Sequence, residues 1–199
     1  MFGLFFFIAL TVFLLVKLNE ILGTRAGFYI DKENLHSMTE KSTVEEVTKS
    51  KEDEKLAEVI KVYPTFNAES FLNKARKAFE IIFAAYAKGD TKTLKGLLSS
   101  RIFNAFSMAI EDRKKRGEVL EGIFVRFISS EIVDVSTAEN EVFITVKFET
   151  EQSNVLKSED GTILEGSADF VENRTEIWSF VRKKNANDFK WYLHEIKSD

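Results

Sequence analysis

Apolar residues in the middle of the chain recur at three- and four-residue steps, and beyond residue 122 the step shortens to two. Phe71, Leu72, Ala75, Ala78, Phe79, Ile82, Phe83 and Tyr86 fall on one side of a helix, because that spacing keeps pace with the turn of the backbone. Asn67 stands where an N-cap is needed: its short side chain can accept from amides that the first turn leaves free. Gly89 stands where the helix must end, since glycine enters the left-handed region without a Cβ clash. Asp90 opens a short second helix carrying Leu94, Leu97 and Leu98. Ser99 or Ser100 opens a third, with Ile102, Phe103, Phe106, Ala109 and Ile110 inward and an end near Gly117.

The later pattern predicts strands. Gly122–Ser136 is rich in Phe, Val and Ile, and its one break in alternation, at Ser129–Ser130, predicts a bulge. After a turn at Ala138–Asn140, Glu141–Gln152 alternates cleanly. Val142, Ile144, Val146 and Phe148 share one face; Glu141, Thr145, Lys147 and Glu149 share the other. Lys157–Gly161 reads as a turn and Ser167–Arg182 as a long strand, with Trp178 and Phe180 on one face and Ile177 and Val181 on the other. Asn185–Asp188 is the last turn and Lys190–Ile196 the last strand. Helices followed by four antiparallel strands predict an α+β domain with the helices on one sheet face. A long bent sheet around a long helix makes a cone with an apolar interior, for which Phe79, Phe83, Trp178, Phe180 and Trp191 are the candidate pocket and core residues.

The first residues follow neither period. Phe2 to Val16 carries no charge, and fifteen helical residues span about 22 Å, short of the roughly 30 Å hydrocarbon core. Lys17 can snorkel outward while Leu18, Ile21 and Leu22 extend the apolar length. A secretory signal would want side-chain positive charge ahead of the run and a small-residue cleavage site after it, and neither is present. Residues 1–22 therefore read as an uncleaved single-pass anchor. Lys17 and Arg25, which follow it, place the bulk of the chain on the cytoplasmic side. Residues 23–54 read as a charged linker; between 31 and 62 there are nine acids and six lysines. Lys55–Tyr63 is expected to pack on the domain, which occupies 55–199, and Pro64 stops whatever precedes it.

Charge and chemistry narrow the function. A formal net charge of −4 argues against general nucleic-acid binding. The absence of cysteine excludes disulfides, thiolate metal sites and a Cys nucleophile. Of the two histidines, His36 lies in the linker, and His194 reads as a half-buried or rim residue of the last strand. No His/Asp/Glu cluster has metal-ligand spacing, Glu165–Asp169 lacks the second glycine of a nucleophile elbow, and no Gly-rich phosphate loop occurs. No catalytic residue, metal or cofactor is expected. Asp134, Glu149, Asp169, Glu172 and Glu176 alternate with apolar residues in a way that suits an outer, wet face. A single inward carboxylate would instead have its pKa raised and could serve as a base. Arg182-Lys183-Lys184 with Lys190 reads as a hairpin turn with solvated lysines, a small anion site being the alternative.

One asymmetry points outward. From Phe66 to Phe103 there are seven bases against three acids, whereas from Asn104 onward thirteen bases face nineteen acids. Lys74, Lys77 and Lys88 can share one side of the first helix, away from its Phe stripe, and Lys92 and Lys95 follow just beyond its end. These five lysines are the candidate lipid-facing set, directed at an anionic leaflet; a solvated helix back is the alternative.

Two sections carry a family resemblance. One is Lys17-Leu18 through Leu22-Gly23-Thr24-Arg25-Ala26-Gly27. The other runs from about Phe71 to Leu193 through Ala75, Phe79, Gly89-Asp90, Arg113, Gly117, Gly161, Glu165-Gly166, Trp178-Ser179-Phe180-Val181-Arg182 and Trp191-Tyr192-Leu193. In order and spacing these are similar to the Tim forty-four family, comprising the matrix-side subunit of the mitochondrial inner-membrane translocase and shorter, anchored bacterial relatives. The resemblance implies an NTF2-like α+β domain with an apolar pocket, contact with anionic lipid through the first helices, and scaffold partners among translocase or chaperone components. It places the chain at a bacterial inner membrane. The leading expectation is a membrane-anchored adaptor, linked to protein translocation or to binding unfolded protein. A small NTF2-like enzyme acting on an apolar ligand, or a structural envelope-complex subunit, are the alternatives.

Overall fold

The structure, a computed structural model, describes residues 56–198 apart from 168 and 187. The predicted anchor (1–22), the linker (23–54) and His36 lie outside the described residues. Residues 56–62 are helical, and Val59 is fully buried against the rest of the domain. Helix α1 (Ala68–Lys88) follows, then the short α2 (Thr91–Lys95) and α3 (Ser100–Lys115). The α1 N-cap is Asn67, whose side chain accepts from the Ser70 amide at 2.7 Å. Gly89 ends the helix at φ 68° with its amide turned back to Ala85 and Tyr86. Asp90 caps α2 by accepting from Thr93 at 3.0 Å. Ser99 stands at the cap of α3, but its hydroxyl makes no capping bond.

Five strands, β1 (Val119–Thr137), β2 (Glu141–Lys157), β3 (Ile163–Gly166), β4 (Glu172–Lys183) and β5 (Tyr192–Ser198), form one antiparallel sheet. The order is β1-β2-β4-β5, with β3 pairing on β2 beyond the point where β4 stops. The four strands expected from sequence become five. The predicted strand over Ser167–Arg182 starts only at Glu172, because the chain first makes a hairpin. Ser158, Asp160 and Thr162 close that hairpin with side-chain and backbone bonds. Gly166 then adopts φ 79°, with a Cβ there driven into the Asn154 carbonyl, so only glycine fits. The final strand is shifted from Lys190–Ile196 to Tyr192–Ser198. β1 begins earlier than predicted and carries three register shifts rather than one, between Phe124 and Arg126, Phe127 and Ser129, and Ile132 and Asp134. These bulges curve a long edge strand and spoil it as a template for further pairing.

The helices lie on the concave face. Val142, Ile144, Val146 and Phe148 on β2 are fully buried beneath them. Phe79 is the hub: its ring lies 4.6 Å from Trp178, 5.2 Å from Phe148, and 5.4 and 5.6 Å from Phe127 and Phe124. Such tilted and edge-on contacts add to the burial of the rings themselves. Phe83 stacks on Phe79 and remains partly covered, while Phe180 and Trp191 both meet Phe71. Arg113, buried on α3, closes the far end. Its guanidinium donates at 2.8 Å to the Tyr86 carbonyl, which also accepts from the Gly89 amide, and at 3.0 Å to the Ala87 carbonyl near the end of α1.

Candidate functional site

Three features of the surface and of the concave face can carry function. The first is the solvent side of α1. Opposite the buried Phe71, Ala75, Phe79, Ile82 and Ala85, Lys74, Lys77, Ile81, Ala84 and Lys88 are all exposed. At 100° per residue these five positions fall within a narrow arc. Lys77 pairs with Glu80 at 3.4 Å on the open surface, a contact worth little. Lys92 and Lys95 on α2 are exposed too. Lys95, however, borders a separate groove described below.

The second feature is an inward carboxylate. On β4, Glu172, Arg174 and Glu176 have the same parity as Trp178 and Phe180, and in register Glu176 faces the fully buried Phe148. The expectation that the strand carboxylates occupy the outer face is therefore corrected for Glu172 and Glu176. Alternation fixes their side, and the aromatic residues two and four positions on from Glu176 fix that side as the concave one. Burial raises Glu176 to about 7, against the pull of the Arg174 charge and an amide donated by Gln152. Glu172 is tied to Arg174 at 2.6 Å. Thr150 and Gln152 on β2 are buried on the same face. Within the described residues, the Gln152 Oε1 and the Trp178 Nε1 are buried without a hydrogen-bond partner.

The third is a groove of about 810 Å³ at the β5 edge and on the convex face. Leu98 bridges to Leu193, with Ser99 N–H donating to the Leu193 carbonyl at 2.8 Å, so the start of α3 lies along β5. Leu98, Phe103, Val181 and Tyr192 supply its apolar lining. Val181 pairs with Phe143, whose ring lies 5.3 Å from that of His194. Lys95, Arg101, Lys183 and Lys190 stand at its border. His194 lines it as well, and burial, seconded by the Arg101 charge, lowers its pKa. It sits on the opposite sheet face from Glu176, so no acid–base pair forms between them. Arg182, expected in a solvated turn, is instead buried: it lies 4.2 Å over the Tyr63 ring and donates to the Asp188 carbonyl at 2.8 Å.

Helices laid on one face of a curved antiparallel sheet, with an aromatic core between, define an α+β domain. The chain belongs to the family described as the Tim44-like domain, whose model matches residues 52–198. It is 26% identical over 133 residues to the uncharacterized protein RP434 of Rickettsia prowazekii, covering 67% of this chain and 53% of that one. It is 22% identical over 154 residues to rat mitochondrial import inner membrane translocase subunit TIM44, covering 76% of this chain and 34% of that one. The chain thus spans about half of the first relative and a third of the second. Among solved structures, the intermembrane space region of chloroplast protein ARC6 matches with TM-score 0.47 and 15% identity, over 68% of this chain and 98% of that one. A putative dehydratase of the NTF2-like family from Streptomyces avermitilis matches with TM-score 0.32 and 11% identity, over 64% of this chain and 96% of that one.

Proposed function

We propose that this protein is a membrane-anchored adaptor associated with protein translocation. In this reading its NTF2-like domain is held against the anionic leaflet by α1 and offers its remaining surface to protein partners, translocase or chaperone components among them. The observation that carries the proposal is the exposed stripe Lys74, Lys77, Ile81, Ala84 and Lys88. It sets cations around a small apolar ridge on the one side of α1 that the core leaves free. Each lysine near an anionic surface contributes about 1 kcal/mol. A tether keeps the domain close enough for such weak contacts to act together. Membership of the Tim44-like family, with TIM44 of the rat translocase as a relative, supports the translocation link. The anchor is tested by carbonate washing of membranes. The full chain stays with the pellet and a chain lacking residues 1–22 is released; release of both would remove the anchor from the proposal.

A second reading, a small enzyme acting on an apolar ligand, draws on Glu176. It is a carboxyl on the concave face held near neutrality, beside the unpartnered Gln152 Oε1 and Trp178 Nε1. It lacks a partnering His or Tyr in contact with that carboxyl among the described residues, which is why the adaptor reading stands first.

A further inference from the structure

We propose that the groove at the β5 edge is the docking site for an acidic, partly apolar peptide segment of a partner protein. The inference rests on the adaptor reading for the existence of such a partner, but it uses a different surface from the α1 stripe.

The groove is asymmetric in charge. Lys95, Arg101, Lys183 and Lys190 at its border are all exposed, and none has an ion-pair partner among the described residues. Two carboxylates, Glu141 and Asp188, lie among them. Asp188 is already used within its own loop: it accepts from the Tyr192 hydroxyl at 3.3 Å and the Lys190 amide at 3.4 Å. A surplus of positive charge remains, and the N-terminus of the sixteen-residue α3 adds to it. The Ser99 hydroxyl sits at that terminus, buried, without a capping bond or any other partner among the described residues.

The lining decides between acidic ligands. A free inorganic anion would use the cations and leave Leu98, Phe103, Val181 and the Tyr192 ring uncovered. A membrane surface is flat, and the Lys183 and Val181 sides of the groove lie on the convex face, away from α1. A peptide with leucine-like and acidic residues fills the apolar trough and meets the cations at the border. That is the usual division of an interface into an apolar centre and a polar rim.

The test uses the full chain in neutral detergent micelles. The probe is a short fluorescein-labelled peptide of leucine, aspartate and glutamate, followed by fluorescence polarisation. The comparison peptide has lysine at every acidic position. The parent should bind the acidic peptide, more weakly as salt rises, and ignore the basic one. Arg101→Glu with Lys183→Glu should weaken binding at least about tenfold. The neutral pair Arg101→Gln with Lys183→Gln should show an intermediate loss, and both should keep the parent's melting profile. Lys74→Glu with Lys77→Glu and Lys88→Glu should bind the peptide as the parent does, which separates failure here from failure of the membrane proposal. Binding that survives the Arg101 and Lys183 changes would overturn the assignment. So would no binding by the parent, or displacement of the peptide by inorganic phosphate or by phosphatidylglycerol incorporated into the micelles at comparable concentration.

Discussion

Replacing Glu176 with glutamine should stabilise the protein, in a pH-dependent way. Burial raises this carboxyl from an ordinary 4.5 to about 7 in the fold. Below the unfolded value both states hold the proton, so the side chain costs nothing. Between 4.5 and 7 the unfolded chain releases the proton and the folded chain keeps it. Stability therefore falls as pH rises, and the loss is complete once the folded group has ionised. The gap corresponds to about 3 kcal/mol. Glu176 as a whole residue is only half-buried, so water recovers part of this, and about 2 kcal/mol is the working figure. Glutamine has nearly the same shape, can still accept from Gln152, and stays neutral. In urea titrations of the piece from Lys55 onward, variant and parent should agree near pH 4.5 and diverge by about 2 kcal/mol at pH 8. His194, whose pKa is lowered by burial and by Arg101, gives the opposite trend, with stability rising with pH through its range. It is common to both proteins and cancels in their difference. A difference that stays constant between pH 4.5 and 8 would mean that the carboxyl is solvated, and the concave placement of Glu176 would fail with it.

Two further substitutions test the packing. Trp178→Ala removes a ring that is 4% exposed and in contact with Phe79, Phe148 and Phe180; it should cost about 3–5 kcal/mol in thermal or urea melts, and a loss below about 1 kcal/mol would contradict the strand facing. Arg113→Met keeps the bulk but strips the Ala87 carbonyl of its side-chain donor and leaves the Tyr86 carbonyl with the Gly89 amide alone; a loss of about 1–3 kcal/mol is expected from the same melts, and an unchanged midpoint would mean that water caps α1 equally well.

Much of the fold was legible because period and punctuation agreed. The α1 stripe, its Asn67 cap and its Gly89 stop all describe one helix, and the alternation of β2 names the residues that prove fully buried. The hairpin of β3 was hidden by its length. Four residues give too little alternation to register, and its determinants are side-chain bonds around Asp160 and the backbone of Gly166. Glu176 was legible and was misread. It stands two positions before Trp178, so strict alternation already puts it inside, whereas the way the strand carboxylates alternate with apolar residues suggests an outer, wet face. Arg113 stands among the residues that carry the family resemblance, but its capping role is not legible in the sequence, because its partners are carbonyls of another helix, 26 and 27 residues earlier. The groove was the least legible of all. It depends on Leu98 meeting Leu193, a contact between distant segments, and only the basic run around Lys183 and Lys190 hinted at it.

The claim that α1 faces an anionic bilayer is tested most directly by vesicle co-sedimentation of the piece from Lys55 onward. It should pellet with phosphatidylglycerol- or cardiolipin-rich vesicles at low salt. It should be released as salt shortens the screening length below about 8 Å, and it should ignore neutral vesicles. Lys74→Glu with Lys77→Glu and Lys88→Glu should abolish pelleting without shifting the melting profile. Failure of the parent to pellet at low salt, or equal pelleting by the charge-reversed variant, would leave α1 with a merely solvated back and contradict the account.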